Sequence, residues 1–157
     1  MRAWEYDLVG GPIFPIRTQI FSRSSVSSVP SVVDSASVKV GAVIVAAGSG
    51  TRMGRPKQFL PLAGRPVCEW ALQAFLDCPE VAKVALVMSP ENVAEHGPRL
   101  ASDRVVVVEG GATRMGSVHN GFKALPAGLD VVAVHDGARP LVTPAVIRAT
   151  VEEAVRS

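Results

Sequence analysis

The sequence predicts an α/β protein with a Rossmann-like, three-layer αβα fold and a mainly parallel sheet. From Lys39 onward, short runs of β-branched residues alternate with segments of helical period. This alternation is typical of βαβ units, whose right-handed crossovers place helices on both faces of a parallel sheet. The 157 residues are 48% hydrophobic and 5% aromatic, which is enough apolar material for one core of Val, Ala and Leu. We therefore expect one domain over residues 39–157.

Strands and helices are expected in strict alternation along this domain. The predicted strands are the valine-rich runs at 40–46, 81–88, 104–108 and 131–134. Apolar residues at helical spacing predict a helix from 67, a weak helix at 91–100, a short one at about 115–125 and a last one from 143. Pro66 suits the first turn of the first helix, and Thr143-Pro144 suits the start of the last.

Residues 1–38 carry neither pattern. Pro12, Pro15 and Pro30 interrupt any period, and we interpret the segment as a disordered leader or extension. Glu5 and Asp7 precede only a short apolar run, which argues against a secretory signal. We prefer to explain this segment as a non-native leader or as the result of an early start codon, and we expect a cytoplasmic protein. A serine-rich organellar transit peptide is the alternative.

Composition excludes several other classes of protein. The formal net charge is only +2, too small a surplus to indicate nucleic-acid binding. The longest apolar run, 40–47, is far below the roughly 18 to 20 residues of a membrane span. Cys68 and Cys78 form no Cys-x-x-Cys motif and the three histidines are scattered, so we expect inert thiols in a reducing compartment and no histidine ligand set.

A glycine-rich, cationic loop follows the first predicted strand. The small residues 46–50 are followed by Arg52, Arg55 and Lys57. Glycines let backbone amides approach phosphate oxygens, Arg can grip two oxygens at once, and Lys is a mobile point charge. The loop therefore indicates a nucleoside triphosphate site. A dinucleotide fingerprint does not fit because Met53 takes the place of its third glycine, and no P-loop signature follows. A plain turn with solvated charges is the alternative.

The turn after the third predicted strand is a second candidate. Gly110-Gly111 precede Arg114 and Ser117, at a predicted helix start whose free amides favour anions or polar ligand edges. The same spacing fits an alternative equally well, in which Ser117 caps the helix and Arg114 is solvated. Because ligands of parallel sheets bind beyond the carboxyl ends of strands, this turn and the cationic loop are expected on one rim.

Asp136 follows the fourth predicted strand, on the same expected rim. A hard divalent ion typically takes one or two carboxylates plus phosphate oxygens, so Asp136 is a candidate magnesium ligand. A helix cap or an ion pair with Arg139 is the alternative. His135 is assigned to packing or to a local hydrogen bond.

Three segments occur in order: 46–54 with Pro56-Lys57-Gln58, then Gly110-Gly111 with Arg114 and Ser117-Val118, then 134–136 with Ala138-Arg139-Pro140. This set resembles that of the 2-C-methyl-D-erythritol 4-phosphate cytidylyltransferases, which are nucleotidyltransferases with a glycosyltransferase-A-like fold. The first segment is shared with sugar-nucleotide and molybdenum-cofactor nucleotidyltransferases, so such an enzyme is the alternative. The second and third segments together are far more specific.

The resemblance implies transfer of a cytidylyl group from CTP to 2-C-methyl-D-erythritol 4-phosphate, with release of pyrophosphate and with Mg²⁺ as cofactor, in non-mevalonate isoprenoid synthesis. It implies no nucleic-acid or membrane partner. It assigns catalysis to Arg52 and Lys57, nucleotide binding to Ala46, Ala47, Gly48, Gly50, Gly111 and Ser117, the metal to Asp136, and support to Arg114 and Arg139.

The chain also departs from the family's pattern. The gap between Arg52 and Lys57 is shorter than in many members, Ala112 replaces a usual polar residue, and Gly137 replaces a usual Ala. Family chains continue beyond the matched segment, so we expect a C-terminally truncated domain that lacks a second Lys, a second carboxylate and the arm that forms the family's homodimer. A non-catalytic nucleotide-binding fragment is therefore a further alternative.

Overall fold

The computed structural model of the chain describes residues 7–8, 19–22, 38–48 and 56–156. Its strands are β1 Asp7–Leu8, β2 Gln19–Ser22, β3 Val40–Ala46, β4 Pro61–Leu62, β5 Arg65–Pro66, β6 Val81–Met88, β7 Val105–Glu109 and β8 Val131–Asp136. The helices are α1 Val67–Leu76, α2 Pro90–Leu100, α3 Arg114–Ala124 and α4 Pro144–Arg156, with a 3-10 turn at Lys57–Phe59.

A six-stranded sheet in the order β1-β2-β8-β3-β6-β7 forms the centre of the molecule. The strands β8, β3, β6 and β7 are parallel, with Ala42 opposite both Ala133 and Val84. These are the four predicted strands, and their boundaries differ from the prediction by at most two residues. The strands β4 and β5 form a separate antiparallel pair between the 3-10 turn and α1.

Helices cover both faces of the sheet, which confirms the predicted three-layer class. On one face, Ile44 packs with Phe75 of α1 and Ile147 of α4, and residues of α2 join the same cluster. On the other face, Val43 packs with Val118 of α3. Neighbouring residues of β3 therefore enter opposite layers, as the alternation of side chains along a strand requires.

The N-terminal segment differs from its expectation at the six residues that form β1 and β2. The strand β2 pairs antiparallel with β8, with Gln19 opposite Val134 and Ser22 opposite Val131. The physical reason is that β8 would otherwise present unpaired backbone groups at a sheet edge, and a neighbouring strand satisfies them. The other residues of the 1–37 stretch lie outside the described part, so their interpretation and the domain boundary stay predictions.

The structure also describes the lengths of the helices and the surroundings of the two cysteines. In the part of the chain that the structure describes, no helix is long and apolar enough to cross a bilayer. Cys68 and Cys78 are free and buried. Burial raises the pKa of Cys68 to about 12 and also raises the pKa of Cys78, so both thiols stay protonated and unreactive at neutral pH, as expected.

Candidate functional site

The carboxyl ends of the central strands bring the described residues of the three sequence motifs to one rim. The backbone N–H of Gly137, just after β8, donates to the carbonyl oxygen of Val45 in β3 over 2.8 Å. The backbone N–H of Gly110, just after β7, donates to Met88 of β6 over 2.8 Å. Because β3 lies between β6 and β8, the residues after all these strands are neighbours.

Gln58 ties the end of β3 to the 3-10 turn. Its Nε2 donates to the carbonyl oxygens of Ala46 and Gly48, each over 2.7 Å. The side chain is only 5% exposed. The sequence motif Pro56-Lys57-Gln58 includes Gln58, but sequence reasoning gave this residue no role. A polar residue in an irregular loop carries no periodicity that would signal burial.

Lys57 opens the 3-10 turn and is exposed. The turn is held by its own hydrogen bond, from the N–H of Leu60 to the carbonyl oxygen of Lys57 over 3.2 Å. Phe59 stacks on His96 of α2, with ring centroids 4.8 Å apart. The backbone of Lys57 is thus fixed while its ammonium faces solvent. Arg52 and Gly50 lie outside the described residues, so their roles remain predictions.

The glycine turn after β7 depends on close backbone approach. A methyl group at Gly110 would overlap the Cβ of Ala47, and one at Gly111 would lie 2.8 Å from the carbonyl carbon of Gly116. Such overlap requires the backbone to shift, so both positions suit glycine. The turn consequently lies directly against Ala47, just after the end of β3.

Ser117 holds this glycine turn from inside α3. The side chain is 2% exposed, and its Oγ accepts from the N–H of Gly111 and donates to the carbonyl oxygen of Thr113, each over 3.1 Å. The alternative of Ser117 as the helix cap is wrong, because Thr113 is the N-cap and accepts from the N–H of Gly116 over 3.0 Å. Arg114 is the exposed first residue of α3.

Asp136 ends β8 beside this rim. Its Oδ1 accepts from the N–H of Ala138 over 3.1 Å, and its Oδ2 lies 3.8 Å from Nε of Arg139. The ion pair that sequence reasoning named as an alternative is therefore present, yet the Asp136 side chain is still 40% exposed. Across the described residues, no group of three His, Cys, Asp or Glu side chains is placed to hold a metal ion.

His135 is a packing residue, as expected. It is fully buried and tilted against Phe75, with ring centroids 5.5 Å apart. Its Nε2 lies 3.0 Å from the carbonyl oxygen of Arg139, and since a carbonyl only accepts, this nitrogen carries the proton. Burial lowers the pKa of His135, so the imidazole is neutral. The ring supports the loop that carries Asp136 and Arg139.

Residues 40–157 match the model of one protein family, described as 2-C-methyl-D-erythritol 4-phosphate cytidylyltransferase. This chain belongs to that family. The cytidylyltransferase of that name from Cereibacter sphaeroides (strain ATCC 17029 / ATH 2.4.9) is 50% identical over 114 residues, which cover 69% of this chain and 51% of the relative. The one from Prochlorococcus marinus (strain MIT 9313) is 44% identical over 117 residues, which cover 72% and 52%. The chain therefore spans about half the length of these curated relatives.

Solved structures confirm the predicted fold. The 4-diphosphocytidyl-2C-methyl-D-erythritol synthase from Anaerococcus prevotii DSM 20548 matches with a TM-score of 0.64 and 27% identity, over 76% of this chain and 52% of that one. The cytidylyltransferase of Francisella tularensis matches with a TM-score of 0.62 and 30% identity, over 76% and 53%. Rv0371c from Mycobacterium tuberculosis, solved in complex with manganese, matches with a TM-score of 0.60 over 76% and 61%, and its 23% identity supports likeness of fold alone.

Proposed function

We propose that this chain is the CTP-binding part of a cytidylyltransferase that transfers the cytidylyl group from CTP to 2-C-methyl-D-erythritol 4-phosphate and releases pyrophosphate. The observation that carries the proposal is the meeting, at one sheet edge, of the described residues of the three segments that the family match covers. We place the reaction in the cytoplasm, in non-mevalonate isoprenoid synthesis, because the matched relatives named above are bacterial proteins.

The proposed reaction needs charge stabilisation rather than a proton acceptor. A phosphate oxygen of the acceptor attacks the α-phosphorus of CTP, and the bond from that phosphorus to the leaving pyrophosphate breaks. The attacking oxygen is already ionised near neutral pH, so catalysis reduces to positioning and charge. The neutral, buried His135 fits this chemistry as a packing group. In the proposal, Lys57 and Arg52 offset the negative charge at phosphorus.

The nucleotide is proposed to lie along the wall formed by the end of β3 and the glycine turn. Gly110 lets that turn approach Ala47, so the backbone at 46–48 and at Gly111 can both face one ligand. Ser117 holds the Gly111 amide in place. We assign recognition of the cytosine edge to Gly111 and Ser117, with the buried Ser117 acting through its hydrogen bond to Gly111, and with Arg114 supporting the exposed start of α3.

Asp136 fits a magnesium site that the nucleotide completes. Mg²⁺ in phosphate sites keeps several waters and takes one or two carboxylates plus phosphate oxygens, and Asp136 offers one partly exposed carboxylate at the rim. Bound Mg²⁺ would supply neutralisation of the phosphate charge. Arg139 braces the carboxylate through the ion pair, and Ala138 fixes its other oxygen.

A pyrophosphate-release assay with CTP and methylerythritol phosphate tests the activity. We expect release far below that of a relative of full length, because the chain spans about half of such proteins. Binding of CTP with Mg²⁺, but no transfer to any acceptor, would instead identify a nucleotide-binding fragment. Thermal-shift measurements with CTP, GTP and UTP test the base, and preferential stabilisation by GTP would contradict the cytidylyl assignment.

Lys57→Ala tests the proposed phosphate contact. We expect weaker CTP binding and lower pyrophosphate release, because a cation next to the phosphates is lost. The matched control is Lys123→Ala, which removes an exposed lysine from the last turn of α3. Equal CTP binding by the two variants would remove Lys57 from the site.

A further inference from the structure

We propose that Gln58 is a positioning residue that aligns Gly48 and Lys57 at the rim. The inference deepens the proposed function and rests on it, because it concerns two residues of that site. Gln58 itself is buried and faces backbone carbonyls rather than the rim. Its action is therefore through its neighbours.

The hydrogen bonds of Gln58 connect parts of the chain that are separated in sequence. The bond to Ala46 spans 12 positions and the bond to Gly48 spans 10. Ala46 is the last residue of β3, whereas Gln58 lies inside the 3-10 turn. The amide therefore holds Gly48 and the 3-10 turn against the end of β3, so it fixes the backbone on both sides of residues 49–55.

The neutral amide of Gln58 suits this pair of contacts. Both acceptors are carbonyl oxygens, so the group between them must supply two donated hydrogens, and the NH₂ of Gln58 supplies both. Methionine at position 58 would have a similar length and no donor. Glutamate would place a carboxylate oxygen against two carbonyl oxygens unless it were protonated.

We call the two hydrogen bonds from Gln58 to Ala46 and Gly48 the clamp. Lys57 is coupled to the clamp through the backbone. It precedes Gln58 directly, so the two Cα atoms are about 3.8 Å apart, and both belong to the same turn. The other side of the turn is held by the stack of Phe59 on His96. Release of Gln58 therefore shifts Lys57 relative to Gly48, and small misplacements of charged groups cost large factors in rate.

Four variants separate positioning from plain stability. Gln58→Met removes both donors and keeps the length of the side chain. Gln73→Met makes the same chemical change on the exposed side of α1, where the amide donates to Asp77 over 2.8 Å. Val151→Ala lowers stability by shortening a core residue of α4. Gln58→Glu restores one donor when it is protonated.

Calorimetric titration with CTP and Mg²⁺ is the first readout. We expect Gln58→Met to bind CTP about tenfold more weakly, because CTP binding would then have to supply the ordering of the turn that about one hydrogen bond supplies in the unchanged protein. Gln73→Met and Val151→Ala should bind CTP as the unchanged protein does. The affinity of Gln58→Glu should rise as the pH falls, since the neutral acid can donate, while the affinity of Gln58→Met should follow the unchanged protein's pH profile.

Limited trypsin digestion is a second readout that does not depend on CTP. Cleavage after Lys57, relative to cleavage after Lys123, should be faster in Gln58→Met than in Val151→Ala. If the unchanged chain fails to bind CTP, the proposed function fails and this cleavage ratio still tests the clamp. An unchanged cleavage ratio, or a CTP affinity for Gln58→Met equal to that of Val151→Ala, would overturn the positioning role.

Discussion

Gly121 in α3 permits the close packing of that helix on the sheet. A methyl group at this position would lie 2.5 Å from Cγ1 of Val43 and 2.9 Å from Cγ2 of Val87. Favourable contacts between carbon atoms lie at about 3.5 to 4.0 Å. Both valines are fully buried in the sheet, so neither can move aside without displacing its own neighbours.

The expected energetics of Gly121→Ala combine two opposite effects. Alanine gains about 1 kcal/mol over glycine in a helix interior, whereas overpacking a core costs about 1 to 3 kcal/mol. Shortening the obstructing side chain by Val43→Ala costs about 2 kcal/mol by itself. The double variant removes the shortest overlap, so we expect it to be more stable than the sum of the single changes predicts, by about 1 to 2 kcal/mol.

Urea unfolding of the four proteins in this cycle measures the coupling. The unfolding midpoints should shift while the slope of the unfolding free energy against urea concentration stays the same, so that the differences report stability. A coupling free energy of zero would mean that α3 moves away from the sheet at no cost, and the close-approach argument for Gly121 would then be refuted.

Two further predictions concern a helix cap and a buried thiol. Thr113→Ala and Thr143→Ala each remove an N-cap hydroxyl, from α3 and α4 respectively, and each should cost about 1 kcal/mol in a urea titration. Only Thr113→Ala should also weaken CTP binding in the calorimetric assay, because its hydroxyl caps α3, the helix whose Ser117 holds the glycine turn; equal effects on CTP binding would contradict the site. The pKa of Cys68 is about 12 in the folded protein, against a reference value of 9.0. Between pH 9.0 and about 12 the unfolded chain therefore releases a proton that the folded chain keeps. The free energy of unfolding falls as the pH rises through this range. Cys68→Ala should reduce this alkaline loss in thermal melts over a pH series, and an identical profile for both proteins would show that the thiol ionises with its usual pKa in the folded state.

The strands were predictable because buried parallel strands are continuous apolar runs. The strand β6 has the predicted bounds, 81–88, since valines and other apolar residues fill it and Ser89-Pro90 ends it. The strand β8 runs two residues beyond its predicted end, through His135 and Asp136. Those polar residues remain paired with Ile44 and Val45, and backbone pairing of this kind is independent of side-chain hydropathy.

The sequence predicted which segments lie at the rim of the sheet, and it did not predict the contacts that they make. Glycines after strands, followed by cations and a single aspartate, indicated one rim for a phosphate-bearing ligand. The structure adds that Ser117 bonds the Gly111 amide rather than capping α3, and that Gln58 is buried. No local sequence pattern predicts either contact, because the contacting residues are not spaced at the period of a helix or a strand.

The sequence alone determined the class of fold, the order of its elements and the three segments whose described residues lie at one edge of the sheet, since these follow from hydrophobic period and from the chemistry of residue types. Only the tertiary structure decided that β2 pairs with β8, that α3 packs on Val43 through Gly121, and that the amide of Gln58 bonds to the backbone at the end of β3. Those features depend on distances between residues remote in sequence. Such distances are set by the packing of the whole chain.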